Sequence, residues 1–180
     1  LNGGTAGTIS GSSFAGNGDL TISNSAGTSF SGAINAGTLA LTNTTGTIAF
    51  NGAVTATSLT TAALGYAAQL NAGSTITNAV TFSNTGGVTL AGTNLFNDGL
   101  TSTASTTTIN GDVRTSADTI SLGAITLSGT SSIDATNNSG STAGNTIGLG
   151  AITSTSNALT LNAGTAGTIS GSSFAGNGDL

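Results

Sequence analysis

Apolar residues recur along this chain on two scales, and the shorter one is the period of a β-strand. In the stretches GTIAFNGAVTATSLTT (46–61) and TISNSAGTSFSGAI (21–34), apolar side chains alternate with Thr, Ser or Asn. Such alternation puts one face inward and one outward along an extended chain. Thr, Ile, Val and Phe suit a pleated, half-buried surface, and the intervening Gly and Asn clusters suit turns. No segment sustains an apolar stripe at helical spacing, so helix is not expected.

The longer scale is a recurrence near 20 residues. The tripeptide apolar–x–Gly stands at 9–11, 30–32, 50–52, 90–92, 109–111 and 127–129, with Leu70 and Ala72 filling the gap, in steps of 21, 20, 20, 20, 19 and 18. A second apolar row runs Leu20, Leu39, Leu59, Val80, Leu100 and Ile120, then Leu159 and Leu180. A third pattern, apolar–x–Asn–Ser/Thr–x–Gly–Thr/Val, occupies 22–28, 41–47 and 82–88. Its Asn24, Asn43 and Asn84, followed by Gly27, Gly46 and Gly87, read as turn residues: Asn bonds nearby backbone and Gly supplies positive φ.

Residues 1–20 and 161–180 are the same 20-mer except for Gly3 against Ala163. The chain therefore reads as a single solenoid segment over 1–180, made of one 160-residue unit (1–160) and the start of the next (161–180). Eight steps of about 20 residues are expected in the unit. One region breaks step: DTISLGAIT (118–126) and NTIGLGAIT (145–153) match at an offset of 27. The segment 131–144 is expected to be an enlarged loop bulging from one coil, with the next coil correspondingly short.

These two periods together predict an all-β fold, a parallel β-solenoid with coils of about 20 residues. One coil alone buries too few side chains to offset the entropy of ordering its backbone. Stacked at about 4.8 Å, each strand bonds to the coils above and below, and eight coils rise roughly 38 Å. Like residues then sit on like, in apolar ladders inside and Asn or Thr ladders at the corners. Phe14, Phe30, Phe50, Phe82, Phe96 and Phe174 are assigned to the core ladder. Tyr66, where other coils carry Gly–Thr, reads as a rim or packing residue.

Composition narrows the function. Leu, Ile, Val and Phe total 38 of 180 residues, about 21%, close to the roughly 20% below which chains tend to disorder. Disorder usually also brings high net charge or proline; here net charge is −5 and proline is absent, and the periodicity decides for order. Charged residues make up 4%, against about 25% in ordinary domains. Arg114 is the single base, which argues against nucleic-acid binding and a polybasic membrane patch. No run of 18 apolar residues occurs, so membrane insertion is not expected, nor is a signal peptide.

Candidate chemistry is sparse. With no His, Cys, Lys or Glu, the titratable side chains are six Asp, one Arg and one Tyr. Asp112 and Arg114 share a strand face and Asp118 follows at the next turn; they read as a solvated pair, and no second carboxylate cluster supports glycoside hydrolysis. GNGDLTI (16–22) resembles part of a calcium-binding nonapeptide, but that motif recurs every nine residues and this one once per 160. Asp19 and Asp179, about 38 Å apart by coil spacing, could not share an ion, so a turn with Asp accepting from backbone is expected. Thr8, Thr28 and Thr47 recur in register, the pattern an ice-binding array would need, although Val88 and Thr108 blur the row. No catalytic, cofactor-binding or metal-binding residue is assigned, and no cofactor is expected.

The phrases LTLNAGTAGTISGS, NTIGLGAITSTSNALTLNAG and TTGTIAFNGAVTATSLTTAALGY resemble the giant β-strand-repeat proteins of bacteria, related in style to filamentous-haemagglutinin-like adhesins. The resemblance covers nearly the whole chain and carries over no functional residue. It implies a secreted or surface-anchored solenoid used in adhesion, cell–cell contact or extracellular matrix. The expected role is a structural rod, not an enzyme, located outside the cell or on the bacterial surface. Its expected partners are neighbouring repeat units or identical chains end to end, with lateral self-association, and cell-surface or matrix components. The alternatives are a self-polymerising sheath or surface-layer subunit, and an ice-binding solenoid.

Overall fold

The computed structural model describes residues 1–42 and 45–176. Among them eighteen strands and no helix form a β-solenoid of about 8 turns, its ladders parallel. Each coil crosses three sheet faces. The first holds Thr8–Gly11, Gly27–Phe30, Thr47–Phe50 and Ala67–Leu70, then 88–90, 107–109 and Ile125–Leu127. The second starts at Phe14, runs through 34–36, 54–56 and Ser74–Ile76, and ends with Ser131–Asp134 and Leu159–Asn162. The third carries Leu20–Ser23, 39–42, 59–61, Val80–Thr81, Leu100–Ser102 and Ile120–Leu122. Ile147–Ser154 and Ile169–Gly176 each turn a corner, covering the third face and then the first.

The core is three bundles of vertical columns. On the first face Phe30, Phe50, Leu70, Leu90, Ile109 and Leu127 lie one above another, all buried. Phe30 and Phe50 stack with ring centroids 5.9 Å apart and an interplanar angle of 15°, a geometry that adds to the area they bury. Phe82 and Phe96, on different faces, meet edge to face at 6.1 Å. Phe14 and Phe174 are only partly buried, because each lies at an end of the stack.

Buried hydroxyls inside the columns are paired. Thr28 shares a hydrogen bond with Ser25 (2.9 Å) and Thr107 with Ser102 (2.7 Å), so the same corner meets the same demand four coils apart. Outside, Asn71 Nδ2 donates to Asn51 Oδ1 at 2.8 Å, and Asn51 Nδ2 to Ser29 Oγ at 3.2 Å, a short corner ladder.

The 27-residue offset holds residue for residue, with Ile120 facing Ile147, Leu122 facing Leu149 and Ile125 facing Ile152. Several expectations need correction. In the first rung Gly11, not Ile9, faces Phe30, while Ile9 faces Thr28; a slip of two residues keeps the same side inward. The row after Ile120 continues in Ile147 and Ile169, and Leu159 belongs to the second face opposite Ser131; Leu180 lies outside the described residues. The segment 131–144 is not loop from its start: Ser131–Asp134 is a strand with Ile133 buried, and the excursion begins at 135. The coil after the enlarged one is not short, since Ile147 faces Ile169 and Ile152 faces Phe174, steps of 22 residues.

Those steps place the repeated 20-mer on different faces in its two copies. Ile9 belongs to the first face, whereas Ile169 belongs to the third; Phe14 pairs with Ile34 on the second, whereas Phe174 lies on the first. The first face takes seven steps from Ile9 to Ile152, and two further faces are crossed before Ile169. From Ile9 to Ile169 the chain thus takes seven full steps and crosses two further faces, within the solenoid of about 8 turns. One sequence serves two positions because each face asks for the same thing, a short inward–outward alternation ended by Gly or Ser at the corner.

Candidate functional site

Polar chemistry gathers on the second face, where strand 107–114 brings Asp112 and Arg114 to the same outward side. Arg114 donates an Nη to Asp112 Oδ2 at 2.6 Å. Ser132, one coil on, donates to Asp112 Oδ1 at 2.6 Å, and Thr93, one coil back, to Oδ2 at 3.4 Å. The Ser132 hydroxyl, with the Arg114 charge beside it, holds the Asp112 carboxyl below its ordinary range against the opposing effect of burial. Both oxygens are thus engaged, and the cluster ties three coils together. Asp118 stands apart from this cluster; its backbone carbonyl accepts from the buried Thr115 Oγ1 at 2.5 Å.

A second acidic centre was not legible in advance. Asp134 is buried at the end of its strand and accepts from Thr136 N at 2.7 Å, Thr136 Oγ1 at 2.6 Å and Asn138 N at 2.6 Å. Asn137, Asn138 and Ser139 take positive φ in succession (49°, 58° and 69°), conformations that the carboxylate's two backbone bonds help to hold. The available signal was the string Asp-x-Thr-x-Asn, in which a carboxylate can accept from backbone two and four residues on. Asp134 organises the entry of the enlarged loop. Among the described residues no three His, Cys, Asp or Glu converge.

The remaining candidates are placed as follows. Asp19 Oδ1 accepts from Thr38 N at 2.9 Å, one coil above, the backbone-acceptor role expected of it; Asp179 lies outside the described residues. Asn84 is buried, donating to Tyr66 O (3.1 Å) and Gly87 O (2.8 Å), while Gly87 takes φ 109°. Asn24 departs from the pattern by taking positive φ itself (55°), so that Gly27 is free to begin a strand. Asn43 lies outside the described residues. Tyr66 is not at the rim: it is fully buried, its hydroxyl donates to Leu41 O and accepts from Ala62 N, both at 3.1 Å, and burial raises its pKa.

The expected threonine row does not exist. Thr8 faces Gly27, while Thr28 points inward and is buried beneath Ile48. The three residues alternate between the two sides of the sheet because the coil steps are 19 and 20, and a one-residue change inverts the side chain. An outward threonine column does occur elsewhere on the first face: Thr89, Thr108, Thr126 and Thr153 face one another in turn. It was legible as the middle residue of VTL, TTI, ITL and ITS. It is a single file, flanked by Ala91, Asn110 and Ser128, not the two-dimensional array that ice recognition would need.

The least satisfied apolar surface lies at the two ends. A recess of about 220 Å³ opens among Leu149, Ile152, Leu161, Ile169 and Phe174 at the last coil. No protein-family model, no curated protein and no solved structure matches the chain.

Proposed function

We propose that this chain is a rigid structural segment of a giant repetitive bacterial protein, secreted or held at the cell surface. It spaces or links cells in adhesion, cell–cell contact or extracellular matrix, and it works without catalysis. One observation carries the reading: an inward apolar column runs through successive coils in register, as from Phe30 through Phe50, Leu70, Leu90 and Ile109 to Leu127 on the first face. A fold of this kind gains length by adding rungs and changes little else, which suits a spacer. The polar clusters serve the same end, since Asp112, Ser132 and Thr93 join successive coils.

Electron microscopy of the native source tests this. Thin stalks of constant width, anchored at one end, are the expected image; compact particles without a long axis would sink the reading. Continuous filaments free of an anchor would favour a self-polymerising sheath or surface layer.

A further inference from the structure

The repeated 20-mer carries three markers whose places differ between its two copies. Leu1 lies on the third face, its carbonyl accepting from Ser23 N, and Leu161 lies on the second, opposite Ile133. Ile9 lies on the first and Ile169 on the third; Phe14 lies on the second and Phe174 on the first. All three shift by one face, and in the same sense. The enlarged loop accounts for the shift. On the first face each step takes 18 to 20 residues as far as Ile125, and the next, to Ile152, takes 27. That excess is close to the length of one face, so the second copy begins one face short of where equal coils would bring it.

We propose that successive 160-residue units of the rod are each turned by one face, so that the same surface feature is presented on its three sides in rotation. This arrangement rests on the rod reading above and adds to it the direction in which each unit faces. The excursion from 135 to 146 leaves the second face after Asp134 and returns to the third at Ile147. In the following unit it leaves the first face, and in the one after that the third. The fourth unit restores the starting direction, after a rise of roughly 110 Å by coil spacing. The Asp112–Arg114 cluster, on the second face here, turns with it.

The consequence is a choice between two kinds of neighbour. Units of eight whole turns would set every loop on one side, which suits a rod lying flat against a single surface. Units turned by one face carry equivalent groups around the whole circumference. Such a rod engages neighbours on all sides, where many weak contacts act together, and it fits a surrounding matrix better than one flat surface.

The chain contains no Cys, so pairs of introduced thiols report the faces directly. Ser170 is the copy of Ser10 and faces Gly148 on the third face, whereas Ala175 faces Thr153 on the first. A Cβ at Gly148 meets nothing closer than 3.8 Å. The reagent is one that fluoresces on bridging two thiols about one coil spacing apart, applied to dilute monomer. Gly148→Cys with Ser170→Cys should link, and so should Thr153→Cys with Ala175→Cys; Thr153→Cys with Ser170→Cys should not. Eight whole turns would place Ser170 on the first face directly after Thr153, in the file that begins at Ser10. Linking of Thr153→Cys with Ser170→Cys therefore overturns the proposal, whether or not the other pairs link. Failure of all three pairs overturns it as well, because the second copy is then not seated on these faces. Thr108→Cys with Thr126→Cys, in mid-stack on the first face, separates either failure from that of the rod. If this pair links, the rod reading stands; if it does not, both fall.

Discussion

At Tyr66 a single hydroxyl closes the 62–66 turn by bonding Ala62 N and Leu41 O in the interior. Tyr66→Phe keeps the ring, and Ala62 N still donates to Leu41 O at 2.8 Å, so a loss of only about 0.5–1.5 kcal/mol is expected in denaturant unfolding. Position along the stack decides what an aromatic is worth. Phe50, fully buried between Phe30 and Leu70, should cost about 3–5 kcal/mol when replaced by Ala. Phe174, at the open end, should cost clearly less; equal losses would mean that the columns are not the source of stability. Asp112 gives a pH-dependent contribution at the acid end. Its carboxyl titrates below the ordinary range because Ser132 and Arg114 favour the charged form. The stability it supplies is therefore complete above the unfolded carboxylate pKa and is lost as pH falls from about 4 through the lower folded value. Unfolding midpoints compared at neutral and acid pH should fall in the parent and fall less in Asp112→Asn.

The element most exposed to test is the excursion from 135 to 146. Asp134 holds it by three bonds, and Thr136 Oγ1 in turn accepts from Ser139 N at 2.9 Å and Asn162 Nδ2 at 3.0 Å. Asp134→Ala should speed amide exchange at Thr136 and Asn138 while the strand amides at Leu90 and Ile109 stay protected, as read by hydrogen exchange. Loss of protection throughout would show that the loop and the rod unfold as one. This loop also marks where sequence reading stopped. The rungs from Phe30 to Leu127 were legible because each repeats an apolar–x–small tripeptide at a nearly constant step. The 27-residue offset was legible because NTIGLGAIT copies DTISLGAIT. Ser131–Asp134 was read as loop because its one large apolar residue, Ile133, lacks an alternating partner; the pairing with 112–114 and 159–162 makes it a strand. Thr28 was misplaced for the complementary reason. A one-residue difference between coil steps is invisible in a periodicity near 20, yet it decides which side of a sheet a side chain takes.

At the scale of the molecule, charge contributes little and stacking contributes nearly everything. Seven charged side chains serve 180 residues, and among the described residues the one ion pair, Arg114 with Asp112, is partly open to solvent. A pair of that kind is worth about 0–1 kcal/mol. Raising sodium chloride to about 1 M shortens the screening length to about 3 Å, which removes what that pair adds and also the mild repulsion of five net negative charges. The two effects oppose each other. For a chain of this size about 1 kcal/mol corresponds to about 2–4 °C in thermal midpoint, so the whole salt response should lie within that interval. Apolar columns, backbone ladders and the Asn and Ser corner bonds are neutral and give salt no charge to act on. A midpoint that moves by about 10 °C or more between dilute buffer and about 1 M sodium chloride would correspond to several such pairs, and would require charged contacts that hold the coils together more strongly than the columns do.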